Sequence, residues 1–154
     1  MGLVDDVGPG PVGLDAVAFI YFIEQHPTFL PLLRPLFIEA DHGRILVTSA
    51  LTLHETLVVP IRLGNAPLAD QYEAVLTEAR GIRLIDISRD QLRAAARLRA
   101  AMKIKTPDAL HLAAAMSAGC RCFVTNDRRL PDIPGLNVIQ LSSYASLPST
   151  TSST

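Results

Sequence analysis

Apolar residues along this chain fall into short blocks separated by Gly, Pro and polar breaks, and the blocks alternate between two periods. Short aliphatic and β-branched runs predict strands at Val12 to Leu14, Ile45 to Val47, Ile82 to Ile87, Arg121 to Val124 and Asn137 to Leu141. Between them lie stretches of helical character. One contains the run Phe19 to Phe22 and ends before His26-Pro27, and a second spans about Phe29 to Ala40 and is stopped by Gly43. A third starts at a Thr48 or Ser49 cap, runs to about Leu63 and is broken by Gly64. A fourth covers about Ala66 to Ala79. Ser88 with Gln91 three residues on predicts a capping box for a helix reaching Lys103. Thr106-Pro107, a capping hydroxyl before a proline, predicts the start of a helix that ends at Gly119. Helices alternating with short strands imply an α/β fold, three layers with a central, mostly parallel sheet flanked by helices.

The domain layout follows from the same pattern. Gly8 to Gly13 (GPGPVG) is rich in helix and strand breakers, so residues 1–11 read as an irregular lead-in. Residues 12–141 form one domain, and 142–154 read as a disordered Ser/Thr-rich tail. At 154 residues, 49% apolar and 19% charged, the chain can close a core without metals or disulfides. Its formal net charge of −1 excludes a global basic field, so any nucleic-acid contact must be local or carried by metal ions. No segment reaches the ~18 apolar residues of a membrane span, so no membrane partner is expected. Asp5 and Asp6 stand where a secretory signal carries basic residues. Cys120 and Cys122 are too close in sequence to pair readily, which suits a reduced, cytoplasmic setting.

In open parallel sheets, sites form at the carboxyl ends of the strands, so the acids near those ends are the informative ones. Asp15 follows the first strand, and Asp127 comes just past the strand Arg121 to Val124. Glu55 lies two turns into the helix after Ile45 to Val47, among Leu51, Leu53, Leu57, Val58 and Val59. That helix is therefore expected to be largely buried, and its carboxylate needs a partner. Asp108 occupies the first turn of its helix, where the dipole favours its charged form. Alone, each Asp has an ordinary explanation as a cap, a turn residue or a first-turn acid. Gathered at one sheet edge, the four would repel unless protons or cations neutralised them. Oxygen ligands without Cys or His favour Mg²⁺ or Mn²⁺, and such an ion can generate a hydroxide nucleophile for a phosphodiester. Relief of that repulsion predicts that Asp127→Asn leaves the metal-free protein as stable or more stable.

The segments LDAVAFIYFIEQHP, TSALTLHE, TPDALHLAAA and FVTNDRRL, in this order and at this spacing, resemble the PIN-domain nucleases, and in particular the VapC-like toxins of bacterial toxin–antitoxin modules. The resemblance runs from about Val12 to Leu141. It implies a PIN-like fold, a toxin-like metal-dependent endoribonuclease (a hydrolase), Mg²⁺ or Mn²⁺ as cofactor, an RNA substrate, a VapB-like antitoxin partner and a homodimer. It places the family's acidic quartet on Asp15, Glu55, Asp108 and Asp127, as catalytic residues and metal ligands. Thr125 matches the hydroxyl beside the last Asp, with Asn126 next to it, and both are expected to orient a ligand or water. Two features depart from the family. Ala16 and Val17 follow Asp15 where a polar partner is usual, and the lead-in is longer than in VapC-like toxins. Residues 1–9 are accordingly read as a misassigned start or a cloning remnant.

Other constellations carry less. Arg89, Arg93 and Arg97 repeat every four residues, with Arg99, Lys103 and Lys105 nearby. A solvated helix face is the simpler account of the stripe, and Lys105 is the better phosphate candidate because it closely precedes Asp108. Arg128 and Arg129 follow Asp127 and could touch phosphate or antitoxin, and Arg128 is taken as the substrate residue. His111 falls near the face of Asp108 and is read as a core histidine. His54-Glu55 lacks the second His that a zinc protease needs, since Val58 stands there. The surplus of apolar residues in the early helices, including Leu30, Leu33, Leu36 and Phe37, suggests a surface for a second copy or an antitoxin helix. Two alternatives remain: a PIN-fold RNA- or protein-binding module with weak or no catalysis, and a metal-dependent phosphohydrolase.

Overall fold

The computed structural model describes residues 2–145. Five parallel strands form one sheet: β1 (Val12–Leu14), β2 (Leu46–Ser49), β3 (Ile82–Ile85), β4 (Cys122–Thr125) and β5 (Asn137–Gln140), in the spatial order β3-β2-β1-β4-β5. The helices are α1 (Leu3–Val7), α2 (Ala16–Ile23), α3 (Leu30–Ala40), α4 (Leu51–Arg62), α5 (Ala66–Glu78), α6 (Arg89–Ala101) and α7 (Thr106–Ser117). The α/β class with a parallel sheet flanked by helices is as the sequence indicated.

Two apolar clusters cover the two faces of the sheet. One joins Val12, Leu14, Leu46, Val124 and Ile139 to Phe19, Leu33, Leu36 and Phe37. The other joins Val47 and Phe123 to Ala109, Leu112 and Ala113 of α7. Alternate strand residues enter opposite clusters, as the pleat requires. Gly13 in the central strand lets α7 lie flat on the sheet, because a Cβ there would sit 2.7 Å from the Ala115 Cβ and 2.9 Å from the Phe123 ring. The two free cysteines are buried in different clusters, Cys120 before β4 and Cys122 within it.

Four expectations are corrected. The lead-in is not irregular throughout and is no appendage: residues 3–7 form α1, and Leu3 and Val7 are buried in the first cluster. Arg44 donates to the carbonyls of Gly8 (2.6 Å) and Gly10 (2.8 Å), and the Tyr144 hydroxyl donates to Asp6. The reason is apolar: LVDDV sets Leu3 and Val7 one turn apart on the same face. Second, α4 is not buried all round. Its inward stripe is Thr52, Thr56 and Pro60, while Val59 (51% exposed), Ile61 (66%) and Leu63 (73%) face outward. The inward hydroxyls are satisfied, Thr56 donating to the Thr52 carbonyl at 2.8 Å and Thr48 donating to the Leu14 carbonyl at 2.8 Å. Third, Leu33, Leu36 and Phe37 are core residues, so of these two helices α4 carries most of the exposed apolar surface, with Ile38 the exposed large aliphatic of α3. Fourth, Thr106 does not cap α7. Lys105 is the N-cap, and the Thr106 hydroxyl accepts from Arg99. The capping box is half made as well: Ser88 accepts from the Gln91 N–H, but the Gln91 side chain reaches Ser117 instead of turning back.

The expected disordered tail falls mostly on residues 146–154, which lie outside the described residues. Of its first residues, Ser142 and Ser143 complete a 3₁₀ turn that begins at Leu141, the fully buried last residue of the expected domain. Among the described residues no helix is long and apolar enough to cross a membrane.

Candidate active site

The strand order fixes where a site can form. From β1 the chain steps outward through β2 to β3, then returns to the other side of β1 for β4 and β5. The order therefore reverses between β1 and β4, and a crevice opens beyond their carboxyl ends. Asp15 is the residue after β1, and Thr125, Asn126 and Asp127 end and follow β4.

That crevice is a cleft of about 480 Å³ lined by Asp15, Glu55, Asp108 and Asp127 together. Its other walls are Ala16, Val17, Ile20 and Tyr21 on α2, and His111, Asn126 and Arg129. Glu55 enters from the second turn of α4 and Asp108 from the first turn of α7. The four acids are thus neighbours across one opening, although they come from four separate segments.

Each carboxylate has its own surroundings. Asp15 caps α2 through the Ala18 N–H (3.4 Å) and accepts the Thr125 hydroxyl at 2.5 Å. The polar partner missing at Ala16 and Val17 is therefore supplied across the sheet by β4. Burial pushes the Asp15 carboxyl up to about 6, against the opposing pull of the Thr125 hydrogen bond and of His111. Asp108 is also raised, first by burial and then by the charge of Asp127. Asp127 goes the other way. Arg129 folds back over it in an Asx turn, the Asp127 Oδ1 accepting the Arg129 N–H at 2.9 Å. The guanidinium grips both oxygens at 3.0 Å, and this bidentate hydrogen bonding holds Asp127 below its ordinary range. Asp127→Asn is thus expected to weaken the metal-free protein, reversing the sign that mutual repulsion alone gave. The repulsion is real, but it falls on Asp15 and Asp108.

Glu55 finds its partner in His111, whose Nε2 lies 2.7 Å from Oε1. His111 is buried, and its Nδ1 has no hydrogen-bond partner. Read from sequence as a core histidine, it is both buried and part of the acidic cleft. The signal was available, since Glu55 needed a partner and His111 lies one turn after Asp108.

Thr125 also accepts the Asp127 N–H at 3.1 Å, tying the two aspartates at the ends of β1 and β4 together. Asn126 braces the loop, donating to the Tyr21 hydroxyl at 3.3 Å and accepting the Ser142 N–H at 3.1 Å. Lys105 is not in the acidic cleft but lines a neighbouring groove that shares Asp108 and Arg129. Arg128 points away, donating to Ser142 at 2.7 Å, and Arg129 takes the inward place expected of it.

The donor set, four carboxylates with no thiolate, is chemically suited to a hard divalent cation. As placed, the carboxylates are held by Thr125, His111 and Arg129, and among the described residues no three acidic, His or Cys side chains form a preset cation site. Asp127 in particular has both oxygens engaged by Arg129.

A family model for the PIN domain matches residues 12–136. The chain belongs to the PIN-domain family. No curated protein is matched by its sequence. Among solved structures, VapBC2 from Rickettsia felis, bound to a promoter DNA fragment, is 19% identical, with a TM-score of 0.59, over 84% of this chain and 98% of that one. A toxin–antitoxin complex from Klebsiella pneumoniae is 20% identical, with a TM-score of 0.60, over 86% and 98%. Mycobacterium tuberculosis VapC20, a toxin that cleaves the sarcin–ricin loop, is 16% identical, with a TM-score of 0.61, over 77% and 91%. At these identities the likeness is one of PIN fold, and the cleft of this chain occupies the crevice that the fold creates.

Proposed function

We propose that this PIN-domain protein is a toxin-like endoribonuclease that hydrolyses RNA phosphodiesters with the help of Mg²⁺ or Mn²⁺. The observation that carries the reading is the convergence of Asp15, Glu55, Asp108 and Asp127 on one cleft at the topological switch point. Bound there, a divalent cation would supply a nucleophile at neutral pH and offset charge developing on the phosphate.

The chain's own groups do the positioning. Thr125 orients Asp15 by donating to Oδ2, while the Ala18 N–H donates to Oδ1. His111 does the same for Glu55 by engaging Oε1. The Asn126 brace and the Thr125 to Asp127 contact hold the last carboxylate at the mouth of the crevice. Ala16, Val17 and Ile20 give the opposite wall an apolar surface, which excludes water from one side of the acids.

The similarity to solved toxin–antitoxin complexes supports a VapB-like antitoxin as partner. The outward Val58, Val59 and Ile61 of α4, with Leu63 just past its end, give an antitoxin helix or a second copy of the chain a surface to cover. A homodimer in the cytoplasm, with RNA as substrate, completes the proposal.

Purified protein free of antitoxin is expected to cut single-stranded and stem-loop RNAs with Mn²⁺ or Mg²⁺, and excess EDTA is expected to stop it. Cleavage undiminished in EDTA contradicts the metal mechanism. Binding of RNA without cleavage favours a binding module, and turnover of a chromogenic phosphomonoester in place of RNA favours a phosphohydrolase.

A further inference from the structure

Beside the acidic cleft lies a second groove, of about 420 Å³, that shares Asp108 and Arg129 with it. Its remaining charged residues are all basic: Arg99 from the last turn of α6, and Lys103 and Lys105 from the turn into α7. Met102 and Ile104 give it an apolar wall. Four cations against one carboxylate is a strong local excess in a chain whose net charge is −1.

Arg129 is already paired with Asp127, but the other three are not consumed in this way. Among the described residues, Arg99, Lys103 and Lys105 take part in no ion pair. Arg99 is also held in place, its Nε donating to the Ile104 carbonyl at 3.0 Å and its Nη1 to the Thr106 hydroxyl at 3.1 Å. The Arg89, Arg93 and Arg97 stripe of α6 contrasts with this, lining neither the acidic cleft nor this groove. Arg93 is already paired with Asp90 at 2.9 Å.

A polyanionic strand approaching four carboxylates is repelled unless fixed cations adjoin them. We propose that this groove is a subsite for the backbone of single-stranded RNA, holding a phosphate next to the one cleaved. Lys103, Lys105 and Arg99 grip it, and Arg129 stands at the junction of groove and cleft. The proposal rests on the nuclease reading of the acidic cleft and adds the direction in which the strand leaves it.

The test uses the full chain carrying Asp15→Asn, in Mn²⁺, with a fluorescein-labelled single-stranded RNA read by anisotropy. Adding Lys103→Ala and Lys105→Ala together is expected to weaken RNA binding by about tenfold or more. Their loss is also expected to reduce the magnitude of the log–log salt slope by roughly 1 to 1.5, as for two lost single-strand phosphate contacts. Mn²⁺ affinity, measured by calorimetry, stays within about twofold, and so does the melting temperature, since both lysines are exposed. Lys103→Glu is expected to weaken RNA binding further than Lys103→Ala. In a background with Asp15 intact, the two alanines raise KM and leave kcat within about twofold.

An unchanged RNA affinity and salt slope overturn the subsite. Tighter Mn²⁺ binding with unaltered RNA binding also overturns it, making the lysines counterions of the acids. Equal loss of affinity for a poly-glutamate of matched charge marks a general anion surface and overturns the RNA assignment. If the protein with Asp15 intact cuts no RNA but its RNA binding still depends on both lysines, the nuclease reading fails while the subsite stands.

Discussion

Asp15→Asn is expected to reduce Mn²⁺-dependent RNA cleavage by on the order of 10³-fold while leaving the metal-free protein at least as stable at neutral pH. The two effects have one cause. Burial raises the Asp15 carboxyl from 3.8 to about 6, so the folded state holds that proton more tightly than the unfolded chain does. Between those values the folded protein binds more protons, and stability therefore falls as pH rises through the window. Above about 6 the charged, buried form carries the whole cost. The interval corresponds to roughly 3 kcal/mol at most, and partial solvent access reduces it to about 1–2 kcal/mol. Asn at position 15 removes that cost and flattens the slope. Asp127→Asn, which breaks the Arg129 grip, is expected to lower the metal-free melting temperature instead. Thermal melts in EDTA from pH 4 to 8, with cleavage assays alongside, check both. Stabilisation by Asp127→Asn with destabilisation by Asp15→Asn at pH 7 contradicts the assignment of burial and pairing at this site.

Deleting residues 1–9 is expected to have the largest effect on stability. The deletion takes Leu3 and Val7 out of the first cluster, each worth about 1.5–3 kcal/mol on burial. It also leaves Arg44, a mostly buried side chain, without the carbonyl of Gly8, and frees Tyr144 from Asp6. Against a total stability of about 5–15 kcal/mol this is a large share, and the melting temperature should fall by roughly 10 °C or more. The double substitution Leu3→Ala with Val7→Ala in the full-length chain should reproduce most of the loss. A truncated protein that melts like the intact one shows the segment to be dispensable.

The order and type of the elements from β1 to β5 were legible because each apolar block is short and fenced by Gly, Pro or a capping residue. What escaped was set by tertiary packing. α1 has only three apolar positions, Leu3, Val4 and Val7, too few for a periodic signal, and its helix exists because the first cluster has room for them. The aliphatic positions of α4 outnumber its threonines, so its buried stripe was invisible until β2 and α2 defined which side is inward. Thr48, Thr52 and Thr56 can be interior because their hydroxyls bond within the fold. At the site, the carboxylates could be placed from strand ends and helix starts alone. Choosing between Arg128 and Arg129 could not be done that way, because it depends on the Asx turn at Asp127 that folds the second arginine back. His111 needed two observations joined: a half-buried carboxylate in want of a donor, and a histidine one turn from Asp108.

The central claim, that these four carboxylates hold a divalent cation in a working nuclease, is tested most directly by anomalous scattering from crystals of the full chain grown with Mn²⁺. The account predicts a manganese peak in the cleft, coordinated by Asp15, Asp108, Glu55 or Asp127 oxygens, with Arg129 released from Asp127. A peak elsewhere, or an empty cleft at millimolar Mn²⁺ with Arg129 still gripping both oxygens of Asp127, would contradict it.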